Sequence, residues 1–448
     1  MDGFQKLLSQ VRARFADLRV HTSRSTTLVL KDGRAEELST GTYGGVAIRV
    51  LDRCWGFAYS SSTGRLEEML EHATKAAALG EGEVRLAEVR PERFEGELRA
   101  RRSPEDVSVE ERLELLKRVH GVAEEYGGIA SVTVSYHDAT SEFRYVSTEG
   151  AEIRVAYPWV SLQVNVVAKE GGELQMAQER AAGVAGLELL EEAERLAEVA
   201  CERALRLLEA RRAPSGVMKV VMDPRLTGVF VHEALGHAAE ADHVLRGESV
   251  LEGMLGREIA AEGVSIYDDP TLEGSPGCYL YDAEGVRAKR KVLVERGVLK
   301  GYLHTRETAG AMGVEEGGNA RAQGYTFPPL PRMSNTCMSP GDAELEELLE
   351  GAGRGVFLGG SRGGEVDTAR GVFQFNAEEG YLIEGGELTR PVRDVSLSGE
   401  TLEILRRIEL VGRRVEMNPG YCGKDSQLVP VGDSAPAVLT VAHVGGAG

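Results

Sequence analysis

Residues 129–168 carry four valine-rich segments in succession, IASVTVSYH, SEFRYVST, AEIRVAY and VSLQVNVVA, with no helical stretch between them. Each alternates apolar and polar residues, the pattern of an antiparallel sheet with one face in water. This run predicts four short strands and makes an all-helical or regularly alternating β/α chain untenable. The flanking segments are helical: SVEERLELLKRVHGVAEEYGG opens with Ser108 and Glu111 at capping-box spacing, and an amphipathic helix spans about 187–211. Upstream, a helix is expected over about 3–18. A hairpin then turns on Asp32-Gly33, and a second helix in RLEEMLEHATKAAALG ends near Gly80.

RRAPSG at 211–216 is the best linker candidate. Beyond it the strand VMKVVM leads to Asp223-Pro224, a good helix start, and then to short strands and glycine turns with lesser helices near 342–351 and 400–408. A chain of 448 residues is long for one core. The expected class is α+β: a helix-flanked antiparallel N-terminal domain over 1–212, with a finer break near 100, and a β-rich C-terminal domain over 213–448 that carries the metal helix described below.

Charge and cysteine usage exclude several functions. There are 71 acidic and 52 basic residues, a formal net charge of −19, which repels phosphate backbones and anionic bilayers. Neither nucleic acid nor a membrane is an expected partner. The opening MDGFQKLLSQVRARF has no apolar core segment of a signal peptide, and no apolar run approaches the roughly 18 residues of a bilayer span. Five cysteines, Cys54, Cys201, Cys278, Cys337 and Cys422, are odd in number and widely spaced. A disulfide framework is not expected, and the cytoplasm is the natural compartment.

The chemistry concentrates in VFVHEALGHAAEAD, residues 229–242. His232 and Glu233 begin like a zinc-protease helix, but His237 comes one residue later than H-E-x-x-H would place it. Residues five apart on a regular helix diverge by about 140°. The two imidazoles can share an ion only if the helix gains a residue locally, as in a π-bulge, and Gly236 lowers the cost of that distortion. Otherwise the histidines merely cap or pack the helix. Spacing leaves the third ligand open: Glu240, Asp242 and His243 are near, and Cys422 in NPGYCGKDSQ lies in a polar, glycine-flanked turn that presents rather than packs its thiol. Glu240 and Asp242 fit better as partners of the histidines than as ligands. His304 is a candidate donor to an oxyanion, against its reading as a satisfied strand-end histidine. Arg332 and Asn335 in PRMSNT are candidates to orient a peptide backbone, or else hold their own loop. Gly363 and Gly364 in LGGSRGGE are candidates for close substrate approach. No G-K-[ST] follows to make that stretch a phosphate loop, and turns explain it as well.

Taken together, HEALGHAAEAD (232–242), RKVLVERGVLKGYLHTRETA (290–309), GNARAQGYTFPPLPRMSNT (318–336), the stretch 363–393 and YCGKDSQLVPVGDSAPAVLTV (421–441) resemble the TldD/PmbA metalloproteases, on their catalytic TldD side. The resemblance implies one zinc ion per active site held by His232, His237 and Cys422, with Glu233 as the catalytic carboxylate. It implies hydrolysis of flexible peptides or unfolded segments in an enclosed site. It also implies a dimer, commonly a heterodimer with a TldE/PmbA-type subunit, with a homodimer as the alternative. Ser426 and VGDSAPA (431–437) depart from the usual GKDGQ and VGVGQPT, which bears on substrate detail rather than on the metal. Members of the family have also been called modulators of DNA gyrase, but the acidic charge argues against direct DNA binding. Two other readings are a non-catalytic interaction subunit with a structural metal and a metal hydrolase of non-peptide amides.

Overall fold

The structure, a computed structural model, describes residues 2–80, 82–315 and 317–446. Its class is α+β, as the patterning predicts, and among the described residues it contains two large sheets. Helix α1 (Asp2–Leu8) is shorter than expected, because the chain is already a strand by Phe15. The alternation of Phe15, Asp17 and Arg19 with Ala16 and Leu18 buries both faces of that strand's start, which a helix would not do.

The first sheet runs from β1 (Phe15–Lys31) and β2 (Arg34–Leu51) through β3 (Trp55–Ser60), β4 (Arg93–Glu97), β5 (Ile129–Ser147), β6 (Glu152–Glu170) and β7 (Glu173–Gly183). Its order is β3-β2-β1-β5-β6, with β4 and β7 both pairing β6. The β1–β2 turn has φ of 47° at Asp32 and 74° at Gly33, the doubly left-handed geometry of a two-residue hairpin. The four expected short strands are instead two long ones, β5 and β6, of 19 residues each. The polar segment at Asp138 that reads as a break stays in the ladder. Asp138 is buried against Arg112, and Tyr136 donates a hydrogen bond to it. Helix α2 (Leu66–Ala78) covers β2 and β3. Helices α3 (Val109–Glu124), with its capping box at Ser108 and Glu111, and α4 (Ala193–Glu209) cover the far end, around Leu116, Val134, Leu162 and Ala200.

The second sheet, which starts with Arg211, has 14 strands and is built around one long strand, Gln427–Gly446. That strand pairs antiparallel with Leu410–Lys424 and Gly216–Met222, and parallel with Asn335–Met338. Helix α5 (Pro224–Val231) lies on it and fills the larger core with Leu226, Phe230 and Val231. Gly228 permits the contact: a Cβ there would stand 3.1 Å from the Cβ of Asp433. The close approach brings the residues that follow α5 over the end of the hairpin at 410–446.

Candidate metal centre

Asp223 caps α5 by accepting from the Leu226 amide at 2.7 Å, and Pro224 takes the first helical position. The helix then widens. His232–Gly236 is a π-turn, with the His237 amide donating to the His232 carbonyl at 3.2 Å. The extra residue that the spacing demands is therefore wound in where it is needed. The two imidazoles come together with ring centroids 5.3 Å apart. What requires glycine at 236 is packing rather than ease of distortion, since a Cβ would sit 1.9 Å from Sδ of the fully buried Met333.

Cys422 is in a strand, not a turn, and is buried at 2% exposure. Its register opposite Val429 points its side chain inward, while its neighbour Tyr421 stays exposed. Its Sγ lies 3.5 Å from Nε2 of His237, and the donor atoms of His232, His237 and Cys422 all fall within 4.8 Å of one another. Zinc bonds of about 2.0 Å to nitrogen and 2.3 Å to sulfur place tetrahedral neighbours about 3.5 Å apart. The two-nitrogen, one-sulfur set therefore fits that ion in chemistry and spacing.

The electrostatics point the same way. Burial alone would push the Cys422 thiol up, but the charge of His237 and hydrogen bonds from both histidines hold it well below its ordinary value. Burial likewise opposes protonation of the histidines. The Glu240 and Cys422 charges nevertheless raise His237 to about 10, and Asp433 and Cys422 raise His232 well above its usual value. A thiolate between two imidazoliums is a site that exchanges protons for a cation.

A second layer orients these donors. Glu240, fully buried, places Oε2 3.1 Å from Nδ1 of His237; burial opposes its ionisation, but His237, Lys424 and Arg332 hold it at about 2. Asp433 Oδ1 lies 2.8 Å from Nδ1 of His232. For His237 this leaves Nε2 facing the thiol, the arrangement that fixes a ligand tautomer; the Asp433–His232 contact is an ion pair outside hydrogen-bond geometry. Sequence reasoning missed Asp433, which lies in the divergent VGDSAPA segment, and Lys424, whose Nζ reaches Glu240 at 3.1 Å and Asp242 at 2.7 Å.

Several sequence candidates are placed elsewhere. Asp242 reaches Lys424 and Arg246 rather than a histidine ring. Arg332, with no exposed surface, donates to the Cys422 carbonyl at 2.6 Å, so it supports the thiolate strand and faces no substrate. Asn335 is also fully buried, accepting from the Gly277 amide at 2.9 Å and donating to the Asp269 carbonyl at 2.7 Å, so its amide is spent on two loops. Gly363 has φ +93°, and a Cβ on Gly364 would meet Phe375 at 2.2 Å; turn and strand packing account for both. His304 is buried with Nδ1 3.2 Å from the Thr308 hydroxyl, and burial beside Lys291 lowers it to about 4. Glu233 keeps 32% of its side chain exposed, and its Oε2 is 3.7 Å from His237 Nε2.

Sequence profiles of the PmbA/TldA metallopeptidase domains match along the chain: domain 1 over 16–77, the central domain over 102–208 and the C-terminal domain over 215–446. A metalloprotease of Methanothermobacter thermautotrophicus is 46% identical, covering 97% of this chain and 96% of its own. A zinc metalloprotease TldD homolog of Saccharolobus solfataricus is 30% identical, with 98% of each chain covered. Among solved structures, a Thermotoga maritima protein described as a proposed modulator of a DNA gyrase superposes with TM-score 0.84 at 25% identity over 99% of this chain and 100% of its own. TldE of Thermococcus kodakarensis shares the fold at TM-score 0.81 and 18% identity, with 99% of each chain covered.

Proposed function

This chain belongs to the PmbA/TldD metallopeptidase family and is a metalloprotease of that type, and we propose that it is a zinc-dependent peptidase acting on flexible peptides or unfolded segments. The observation that carries this reading is a donor set of three, with a partly exposed carboxylate beside it. Structural zinc sites close with four protein ligands, whereas catalytic ones keep a position open. Among the described residues the cluster stops at His232, His237 and Cys422. Zinc held there would supply Lewis acidity toward a peptide carbonyl and a water acidified to a pKa of about 7.

The chain's own groups do the rest. Glu233, partly exposed and next to His237, accepts the proton of the attacking water and delivers it to the departing amine. Glu240 holds the His237 ring in one tautomer, Asp433 pairs with His232, and Lys424 and Arg332 keep Glu240 ionised in its buried position. We assign His304 no part in this, because its ring is buried with Nδ1 against the Thr308 hydroxyl.

The same reading makes this the catalytic subunit of a heterodimer with a TldE/PmbA-type chain, or of a homodimer, in the cytoplasm. It divides the chain into units at 1–212 and 213–448, with a finer break near 100. The S. solfataricus relative's name and the retained HEALGH motif support the zinc and catalytic assignments.

The test is metal analysis and peptide cleavage on wild type, Glu233→Ala and Cys422→Ser. Glu233→Ala should keep about one zinc per chain and lose roughly 100-fold or more of its turnover. Cys422→Ser should lose most of the metal. Wild-type cleavage by Glu233→Ala would remove the mechanism.

A further inference from the structure

A cavity of about 520 Å³ opens between the first sheet and the C-terminal half. Phe143, Tyr157 and Trp159 wall it on one side, and Tyr421 on the other, with the Trp159 and Tyr421 rings 6.3 Å apart. Tyr421, Val429 and Pro430 line it on the hairpin that carries Cys422, and Arg321 in the lining feels the Cys422 charge, so the cavity lies beside the metal centre although no metal donor lines it. So large an aromatic-walled space beside a catalytic site suits an apolar side chain.

Its polar groups are unusual. Two guanidiniums line it, Arg19 and Arg321, and both spend their hydrogen bonds on backbone carbonyls: Arg19 on Phe327, Arg321 on Met333 and Pro430. Arg19 is 3% exposed, and its Nε has no partner among the described residues. The acids nearest Arg19, Asp17 and Glu284, are held by Arg49 instead. His21 adds no charge, because burial and Arg19 lower it to about 4. Asp282 is the one carboxylate in the lining; burial and Glu284 push it up to about 7, and it accepts from the amides of Glu284, Val286 and Ala320. The cavity therefore offers two guanidinium charges to which no carboxylate is hydrogen-bonded: Arg19 keeps an unpartnered Nε, and Asp268, the acid that acts on Arg321, is held by Ser334 and Asn319.

We propose that this cavity binds a carboxylate borne next to an apolar side chain, as on the C-terminal residue of a peptide, with Arg19 and Arg321 as its partners. Guanidiniums recognise carboxylates through paired N–H donors, and such charge-assisted bonds are strongest where water is excluded. The proposal rests on the peptidase reading of the adjacent centre, and it adds a preference for substrate segments that end, or carry an acid, within reach of the cavity.

The probe pair is N-acetyl-Ala-Ala-Phe as free acid and as C-terminal amide. A third peptide, the amide of N-acetyl-Ala-Glu-Phe, distinguishes a side-chain acid from a terminal one. Binding is read by calorimetry on zinc-loaded Glu233→Ala protein and on chelator-stripped wild type, so that neither turnover nor a carboxylate on the metal is mistaken for the cavity. The free acid should bind at least about tenfold tighter than its amide in both proteins. Arg321→Gln should cut that preference to within about threefold. Recovery of binding by the Glu peptide would assign the carboxylate to side chains. Equal affinity of acid and amide in wild type, or a preference seen only with metal bound, overturns the proposal without touching the peptidase reading. A clear preference with no hydrolysis of any peptide by the wild type would do the reverse.

Discussion

Asp433 stands 2.8 Å from Nδ1 of His232, a candidate metal ligand, yet nothing in its local sequence marks it. A carboxylate in that position fixes the ring and raises its basicity, and losing it commonly costs 10–100-fold in metal affinity. Asp433→Asn is therefore expected to weaken zinc binding by roughly that factor in chelator competition, while the folded circular-dichroism spectrum is retained. His304 makes the opposite case, a residue conspicuous in sequence but occupied by Thr308. Its folded pKa of about 4 is depressed below the unfolded value near 6.5. The stability it contributes is thus present above pH 6.5 and lost as pH falls through 4. Wild type should lose up to about 3 kcal/mol from this group across that window, and His304→Gln should show a correspondingly shallower fall of Tm between pH 7 and 4. A large loss of kcat in that variant at pH 7 would instead restore His304 to the chemistry. Residue identity made His232, Glu233 and His237 legible, because their roles depend on spacing along one helix. Asp433, Lys424 and the buried placement of Arg332 depend on which strand lies beside that helix, which no single stretch of sequence states.

The element that most rewards sequence reading is the π-turn, since the one-residue excess between the histidines dictates it. Gly236 is the tight point of that turn. In Gly236→Ala the new methyl must displace Met333, which is fully buried. Overpacking of this kind costs about 1–3 kcal/mol, measurable by urea denaturation, and it should lower zinc occupancy by shifting His237. Combined with Met333→Ala, the loss should be smaller than the sum of the two single changes, as for any pair in contact. Elements were misread where local breakers are compensated by neighbours. Pro158 lies inside β6, in the gap between Ala156, the last partner of β4, and Val160, the first partner of β7. A missing N–H is tolerated at such an unpaired edge, so a residue that reads as a strand end is passed through. Short helices such as Arg306–Met312 also leave no sign in the sequence, because about two turns of helix give too little periodicity to detect.

At the scale of the molecule, the metal helix is joined to the first sheet by charge as well as by chain connection. Arg203 of α4, 5% exposed, pairs with Glu179 of β7 at 2.6 Å, Glu378 at 2.8 Å and Glu379 at 3.0 Å. Arg225, in the first turn of α5, pairs with the same Glu179 at 2.8 Å and with Glu378. The five partners span residues 179 to 379, so no single stretch of sequence shows the joint between the two sheets. Burial raises Glu378 above its ordinary value even with Arg225 and Arg203 opposing it, so the carboxylate depends on both cations. Removing one member of a buried network costs more than the network contributes, since a desolvated charge is left behind. Arg203→Met should therefore destabilise the protein by about 3–5 kcal/mol in urea denaturation. It should also increase protease nicking at 211–216, where Arg211 and Arg212 are tied to Val392 and Arg393. A loss under about 1 kcal/mol with unchanged nicking would mean that apolar contact alone holds α5 against the first sheet. The orientation of His232 would then owe nothing to these charges.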